Sequence, residues 1–194
     1  MGREKKISLK TAAVLLTGAV LVLCSIAFSA HALHRSGILV DDTRYRKEIS
    51  VASAKHGVDP QLVRAVIFQE SRFDSRAVGF KGEVGLMQIH LDGAAADWAK
   101  FHKKPVPTHA SLMAVELNLE IGVWYLARAL KNWENYKGQI ALALVQYNAG
   151  ATRANRWKPE KRDGDVIPRI KIPSTRVYVV KIIERYRKYS EEKK

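Results

Sequence analysis

The 194-residue sequence predicts an all-α domain. Three observations carry that prediction. No run alternates apolar and polar residues as a half-buried strand would. Apolar residues instead recur three and four positions apart, and the segments so patterned are separated by glycines, prolines and capping residues that stop and start helices. There is no internal repeat and no low-complexity run.

The first segment stands apart from this pattern. Arg3, Lys5, Lys6 and Lys10 form a basic head, Thr11 to Phe28 is almost wholly apolar, and Ala30-His31-Ala32 supplies the small-x-small site that signal peptidase reads. Residues 1–32 are expected to be a signal peptide cut after Ala32, and residues 33–194 the domain, with its core at about 42–189. An uncleaved anchor is the alternative, since roughly 18 apolar residues approach the shortest spanning helix. Either reading exports the rest of the chain, to the periplasm or cell envelope. Cys24, the sole cysteine, falls inside this segment. Leu21 to Cys24 has the outline of a lipoprotein box, but Leu23 stands where a small residue is required, so lipidation is not expected. The exported domain then has no disulfide and is held by its core alone, for which about 160 residues suffice.

Asp42 to His56 is expected as the first helix of the domain, stopped by Gly57. Asp59-Pro60 supplies an N-cap and a first-turn proline for a helix over Gln61 to Arg72. Gly79, Gly82 and Gly85 mark a loop, with a helix expected to begin near Leu86. Pro105 and Pro107 make Phe101 to Thr108 irregular. A long helix over about Leu112 to Trp133 follows, with Leu117, Ile121, Trp124, Tyr125 and Leu130 broadly on one side. Gln139 to Asn148 is short and almost all apolar, which fits the buried centre of the fold, and it ends at Ala149-Gly150. Arg153 to Pro173 has no clear period. Ser174 is expected to cap a last helix through Tyr189, with Val177, Val180, Ile183 and Tyr186 as its stripe.

Net charge is +14, and removing a segment with four Lys/Arg and one Glu leaves about +11. Such a field attracts polyanions. Export and the lack of any nucleic-acid motif argue against nucleic acid as the partner, leaving anionic wall polymer or an anionic membrane surface. The run Arg185, Arg187, Lys188, Lys193, Lys194 reads first as a solvated helix face. The histidines show no ligand spacing and no metal is inferred. Trp98, Trp124 and Trp133 read as core or edge residues.

One residue does not fit simple packing. In the helix over Gln61 to Arg72, Val63, Val66 and Ile67 share a face with Glu70. Apolar neighbours raise a carboxyl pKa by withdrawing solvent, the helix C-terminus disfavours an anion, and Arg64 and Arg72 project elsewhere. A glutamic acid that keeps its proton near neutral pH suits general-acid catalysis. A solvated or lysine-paired glutamate is the plain alternative for this segment taken by itself.

Three later stretches add to it: Gly85-Leu86-Met87-Gln88, Tyr147-Asn148-Ala149-Gly150, and Tyr178 on the final helix. With Glu70-Ser71 at the head, the ordered set resembles the lytic transglycosylases of the soluble murein transglycosylase type, which have a lysozyme-like, goose-type helical domain. The resemblance spans roughly Asp42 to Tyr189. The chain departs from the family pattern at Gly79, where many relatives have serine. It departs again at Ile89-His90-Leu91, where many have an apolar pair and a proline.

The resemblance implies peptidoglycan glycan strands as substrate, cleaved between N-acetylmuramic acid and N-acetylglucosamine, with no cofactor. Glu70 is then the catalytic residue, acting as acid and next as base to close a 1,6-anhydro ring. Ser71, Met87, Gln88, Tyr147, Asn148 and Tyr178 are the implied substrate-binding residues, although Met87 and Tyr178 also read as core. Ordinary glycosidases use two carboxylates; Asp74 is read as a turn cap, whereas Glu83 in the glycine-rich loop stays open as a second catalytic group. Two rivals are a water-using muramidase and a non-catalytic wall-binding module. A monomer is expected, and service to a secretion or other envelope machine is a possible specialisation.

Overall fold

Helix α1 (Arg46–His56) is closed by Gly57, whose φ of 67° is readily adopted only without a Cβ. It begins later than the sequence suggests, because 42–45 form a turn and Tyr45 sits in the left-handed region. Helix α2 (Pro60–Ser71) starts as its caps require: the Asp59 side chain accepts from the Gln61 amide at 2.8 Å, and Pro60 lacks the N–H that would be orphaned. These are elements of a computed structural model that describes residues 40–192. The expected signal segment and its cleavage site, together with Lys193 and Lys194, lie outside the described residues.

No helix begins near Leu86. The stretch from Ala77 to Ile89 is a folded loop, pinned by two isolated antiparallel bridges, Val78 with Val84 and Val84 with Ile89. The helix arrives later, as a π turn at Leu91–Ala95 running into α3 (Ala96–His102). The Gly85-Leu86-Met87-Gln88 backbone turns because Gly85 (φ 77°) and Gln88 (φ 47°) adopt left-handed conformations that end any helical run. The segment holding Pro105 and Pro107 is irregular, as expected.

A short 3₁₀ turn (Ser111–Met113) leads to α4 (Val115–Asn132), the long helix foreseen. Its buried residues cover more than one side, from Asn118 and Leu119 to Ala129, because it packs against α1 on one flank and α5 on another. Helix α5 (Gln139–Ala149) is the expected centre: every residue from Ala141 to Gln146 is buried. Trp98, Trp124 and Trp133 are core residues. Part of the segment without a period is helical after all, as α6 (Ala151–Trp157), which buries only Ala154 and Trp157.

Helix α7 (Pro173–Glu191) begins one residue before Ser174, which therefore lies inside the first turn and caps nothing. Its buried stripe is Thr175, Tyr178, Val179, Ile182 and Tyr189, rotated by about one position from the expected one; Val177 is exposed. The rotation has a physical cause. Helix α7 packs on α2, and its aromatics and charges find partners there: Tyr186 donates to Asp59 at 2.8 Å, and Arg185 lies 3.2 Å over the Phe68 ring. Arg64 stacks on Tyr189, whose hydroxyl donates to Asp42 at 2.7 Å. Partners at both ends of α2 set an antiparallel register, and that register brings Tyr178 to Glu70.

Candidate active site

Glu70 lies in the last turn of α2, with Val63, Val66 and Ile67 of the same face fully buried below it. It sits at one wall of a cleft of about 340 Å³, facing the loop Gly79–Lys81 and the C-terminal end of α5. Tyr178 donates to Glu70 Oε1 at 2.6 Å. Burial pushes the Glu70 pKa up, the phenol hydrogen bond pulls it part of the way back, and the charge of Glu83 raises it again, to about 7. Among the described residues its hydrogen-bond partner is a neutral phenol, and no lysine or arginine pairs with it. Burial and the charge of Glu70 push the Tyr178 hydroxyl well above the ordinary phenol range, so it stays a donor.

The opposite wall hangs on a residue that the sequence reading missed. Asn118 of α4 is 1% exposed and makes three hydrogen bonds of 2.8 Å. It accepts from the Met87 amide and donates to the carbonyls of Val84 and Leu112, so one side chain fixes both strands of the loop. A buried amide costs stability unless its groups are satisfied, and here the loop backbone satisfies it. Room for this comes from Gly85, where a Cβ would lie 2.3 Å from Asn118 Nδ2. Gly122, one turn along α4, makes the matching space for Met87, whose sulfur would lie 2.4 Å from a Cβ there. The available signal was a polar Asn118 four residues from Gly122 on an apolar helix face.

The expected substrate residues divide by what they touch. Gln88, Tyr147 and Asn148 line the cleft with Glu70. Gln88 spends its amide hydrogens on the Ala77 and Gly85 carbonyls, at 3.2 and 3.0 Å, leaving Oε1 as its acceptor on the Gly79 side. The exposed Asn148 uses Oδ1 to accept from Thr175 at 2.8 Å, so its N–H groups are the donors it offers. Tyr147 donates to the Met87 carbonyl at 2.9 Å and tethers the loop to α5. Ser71 donates to the Leu86 carbonyl at 2.9 Å, joining the acid's helix to the same loop. Met87 is fully buried, which is the packing role. Tyr178 is 7% exposed and acts on Glu70 directly.

Asp74 caps a turn, accepting from the Arg76 amide at 2.9 Å. Glu83 does more, because its carboxylate lines the cleft together with Glu70. Partial burial pushes the Glu83 pKa up, but hydrogen bonds from its own amide and that of Lys81, with the nearby His90 and Lys81, outweigh it and hold the carboxyl below the ordinary range. Phe80, wholly exposed, stands at the rim. A larger hollow of about 720 Å³ lies elsewhere, around Trp157 and Arg169. Its carboxylates, Glu160 and Asp165, are exposed, so it lacks the desolvated acid that distinguishes the smaller cleft.

The site is thus a helical domain's cleft with one desolvated acid on its wall, faced by a loop that carries the Gln88 amide and the Glu83 carboxylate. The Transglycosylase SLT domain profile matches residues 47–168, and the chain belongs to that family. It is 32% identical over 118 residues to membrane-bound lytic murein transglycosylase C of Salmonella arizonae, covering 57% of this chain and 33% of that protein. With membrane-bound lytic murein transglycosylase F of Desulfosudis oleivorans it shares 33% identity over 110 residues, covering 55% of this chain and 22% of that one. The chain therefore spans about a third or less of the length of these curated relatives. Its fold matches an inactive variant of the lytic transglycosylase Slt from Pseudomonas aeruginosa, with a TM-score of 0.69, 24% identity, and 77% of this chain against 24% of that one. The 70 kDa soluble lytic transglycosylase of Escherichia coli gives a TM-score of 0.66 at 23% identity, over 75% of this chain and 24% of that one. The expected lysozyme-like helical class is thus the observed one.

Proposed function

We propose that this domain is a peptidoglycan lytic transglycosylase in which Glu70 works alone as acid and then as base. The observation that carries the reading is Glu70 itself, protonated up to about pH 7 and hydrogen-bonded by Tyr178 without a counter-charge. Glu70 gives its proton to the oxygen linking N-acetylmuramic acid to N-acetylglucosamine, and the bond from that oxygen to the anomeric carbon breaks. The C6 hydroxyl of the same muramic acid attacks that carbon, and its proton passes to the Glu70 carboxylate. The product ends in a 1,6-anhydro ring, and no water is consumed. The names of the relatives, all murein transglycosylases, support peptidoglycan as the substrate.

Supporting roles follow from the contacts. Tyr178 fixes the carboxyl rotamer, while Gln88 Oε1 and the Asn148 amide offer an acceptor and donors to sugar hydroxyl and acetamido groups. Ser71, Met87 and Tyr147 hold the loop against α2 and α5. An export segment at residues 1–32 would deliver the domain to the cell envelope, where its positive charge favours anionic wall polymer. The test is release of muropeptides from purified sacculi by wild type and Glu70→Gln, read by mass spectrometry. Anhydro ends from wild type and none from the variant are expected. Undiminished release by the variant refutes the reading, and reducing ends, heavier by one water, would make the enzyme a muramidase. Sacculus binding without soluble product would leave a wall-binding module.

A further inference from the structure

Gly79 and His90, on either side of the glycine-rich loop, meet at one side chain, Glu83. His90 Nε2 lies 3.3 Å from Glu83 Oε1. A Cβ on residue 79 would stand 2.3 Å from Glu83 Oε2 and 2.8 Å from Gln88 Oε1, so a serine there would occupy the space that this carboxylate fills. The Lys81 amide donates to Oε2 at 2.9 Å. Glu83 is thus gripped on both oxygens, and it lines the same cleft as Glu70. A merely solvated loop glutamate needs neither a cleared backbone position nor two partners.

From this placement we infer that Glu83 is a second catalytic residue, an ionised carboxylate facing the anomeric carbon across the cleft from Glu70. The inference rests on the proposed glycan cleavage and adds a group that the single-acid scheme lacks. When Glu70 protonates the leaving oxygen and the bond to the anomeric carbon breaks, positive charge develops on that carbon and its ring oxygen. Glu83 steadies that charge through space and forms no bond. The C6 hydroxyl then attacks, its proton goes to Glu70, and Glu83 ends as it began. Paired carboxyls held in opposite protonation states mark an acid and its electrostatic partner. Glu83 sits below the ordinary carboxylate range while its charge helps to keep the proton on Glu70.

The charged and titratable groups facing Glu83 are Glu70 from α2, and Lys81 and His90 from the loop; His109 lies near Gly82 at its tip. The experiment compares wild type, Glu83→Gln, Gly79→Ser and Glu70→Gln on soluble uncrosslinked glycan strands across pH 4–9, with Tm recorded for each. Glu83→Gln is expected to lower kcat roughly ten- to a hundredfold with KM little changed. It should also move the alkaline limb of the rate profile to lower pH, because Glu70 loses a negative neighbour. Gly79→Ser, which displaces the carboxylate without removing it, should reproduce both effects in weaker form. Unchanged kcat and an unmoved limb in Glu83→Gln overturn the inference, and they leave the proposed function standing if Glu70→Gln is dead. A Glu83→Gln defect that comes with a collapsed Tm, beside a Gly79→Ser protein that behaves as wild type, also overturns it by making Glu83 structural.

Discussion

Glu70 is a charge that the fold works against, and removing it should stabilise the protein over a defined pH range. The folded-state pKa is raised from 4.5 to about 7. A carboxyl raised in this way stabilises most when protonated in both states, below the unfolded value near 4.5. That stability is lost as pH climbs toward about 7, and above it the loss is complete. Each pKa unit corresponds to about 1.4 kcal/mol, so the full loss is about 3 kcal/mol. The cleft leaves part of the carboxyl open to water, which reduces the expected cost to about 1.5–3 kcal/mol.

Glu70→Gln keeps the side-chain shape and an acceptor for Tyr178 but never ionises. Thermal unfolding of both proteins, followed by circular dichroism from pH 4 to 9, isolates this group, since every other titration is shared. At about 2–4 °C per kcal/mol for a domain of this size, the variant should melt roughly 3–12 °C above wild type at pH 8.5. At pH 4 the two should coincide. An offset that is the same at both pH values, or a variant less stable at pH 8.5, would show that Glu70 is not desolvated, and the acid assignment would fall with it.

Three further outcomes follow from the same contacts. Tyr178→Phe removes the hydrogen bond that lowers the Glu70 pKa, so the alkaline limb of the pH–rate profile should move upward while kcat falls about tenfold. Asn118→Leu strands the Met87 amide and the Leu112 carbonyl and leaves the Val84 carbonyl with the Ile89 amide alone, and urea titration should record a loss of about 2–3 kcal/mol or more. Gly122→Ala drives a methyl group into Met87, so it should cost about 1–3 kcal/mol and reduce glycan cleavage beyond what the residual stability explains.

The helices were legible wherever a local rule specified them. Asp59-Pro60 opens α2, Gly57 closes α1, and an almost unbroken apolar run from Gln139 makes α5 the buried centre. The acid could be read as well, because a carboxylate on a face of Val63, Val66 and Ile67 is costly and therefore conspicuous. What escaped depends on contacts between distant segments. The loop from Gly79 to Gln88 carries enough apolar residues to pass for a helix start, and the contacts that hold its turn come from elsewhere in the chain, above all from Asn118, more than thirty residues away, with Ser71 and Tyr147. The α7 stripe came out rotated because its bulky apolar residues alone suggest Val177, whereas Glu70 and Asp42 select Tyr178 and Tyr189. Thr175, which orients Asn148, left no local trace at all.

The choice of a phenol beside Glu70 can be weighed against the residue that would stabilise the fold more. An ammonium about 4 Å from the carboxylate, at an effective dielectric near 20, would contribute about 4 kcal/mol. That is about three pKa units, enough to return Glu70 to its unperturbed range and leave it ionised at neutral pH. The Tyr178 hydroxyl reaches the same oxygen at 2.6 Å, fixes its position, and lowers the pKa only part of the way that burial raised it. In a chain of net charge +14 a cation could easily have stood there. Instead the basic residues of α7 are directed elsewhere, Arg185 onto the Phe68 ring and Arg176 onto the Ile170 carbonyl. The α2–α7 interface therefore does two jobs with one register: it seals the core with Val179 and Ile182, and it gives the acid a neutral neighbour. Turning α7 by a single position would break both.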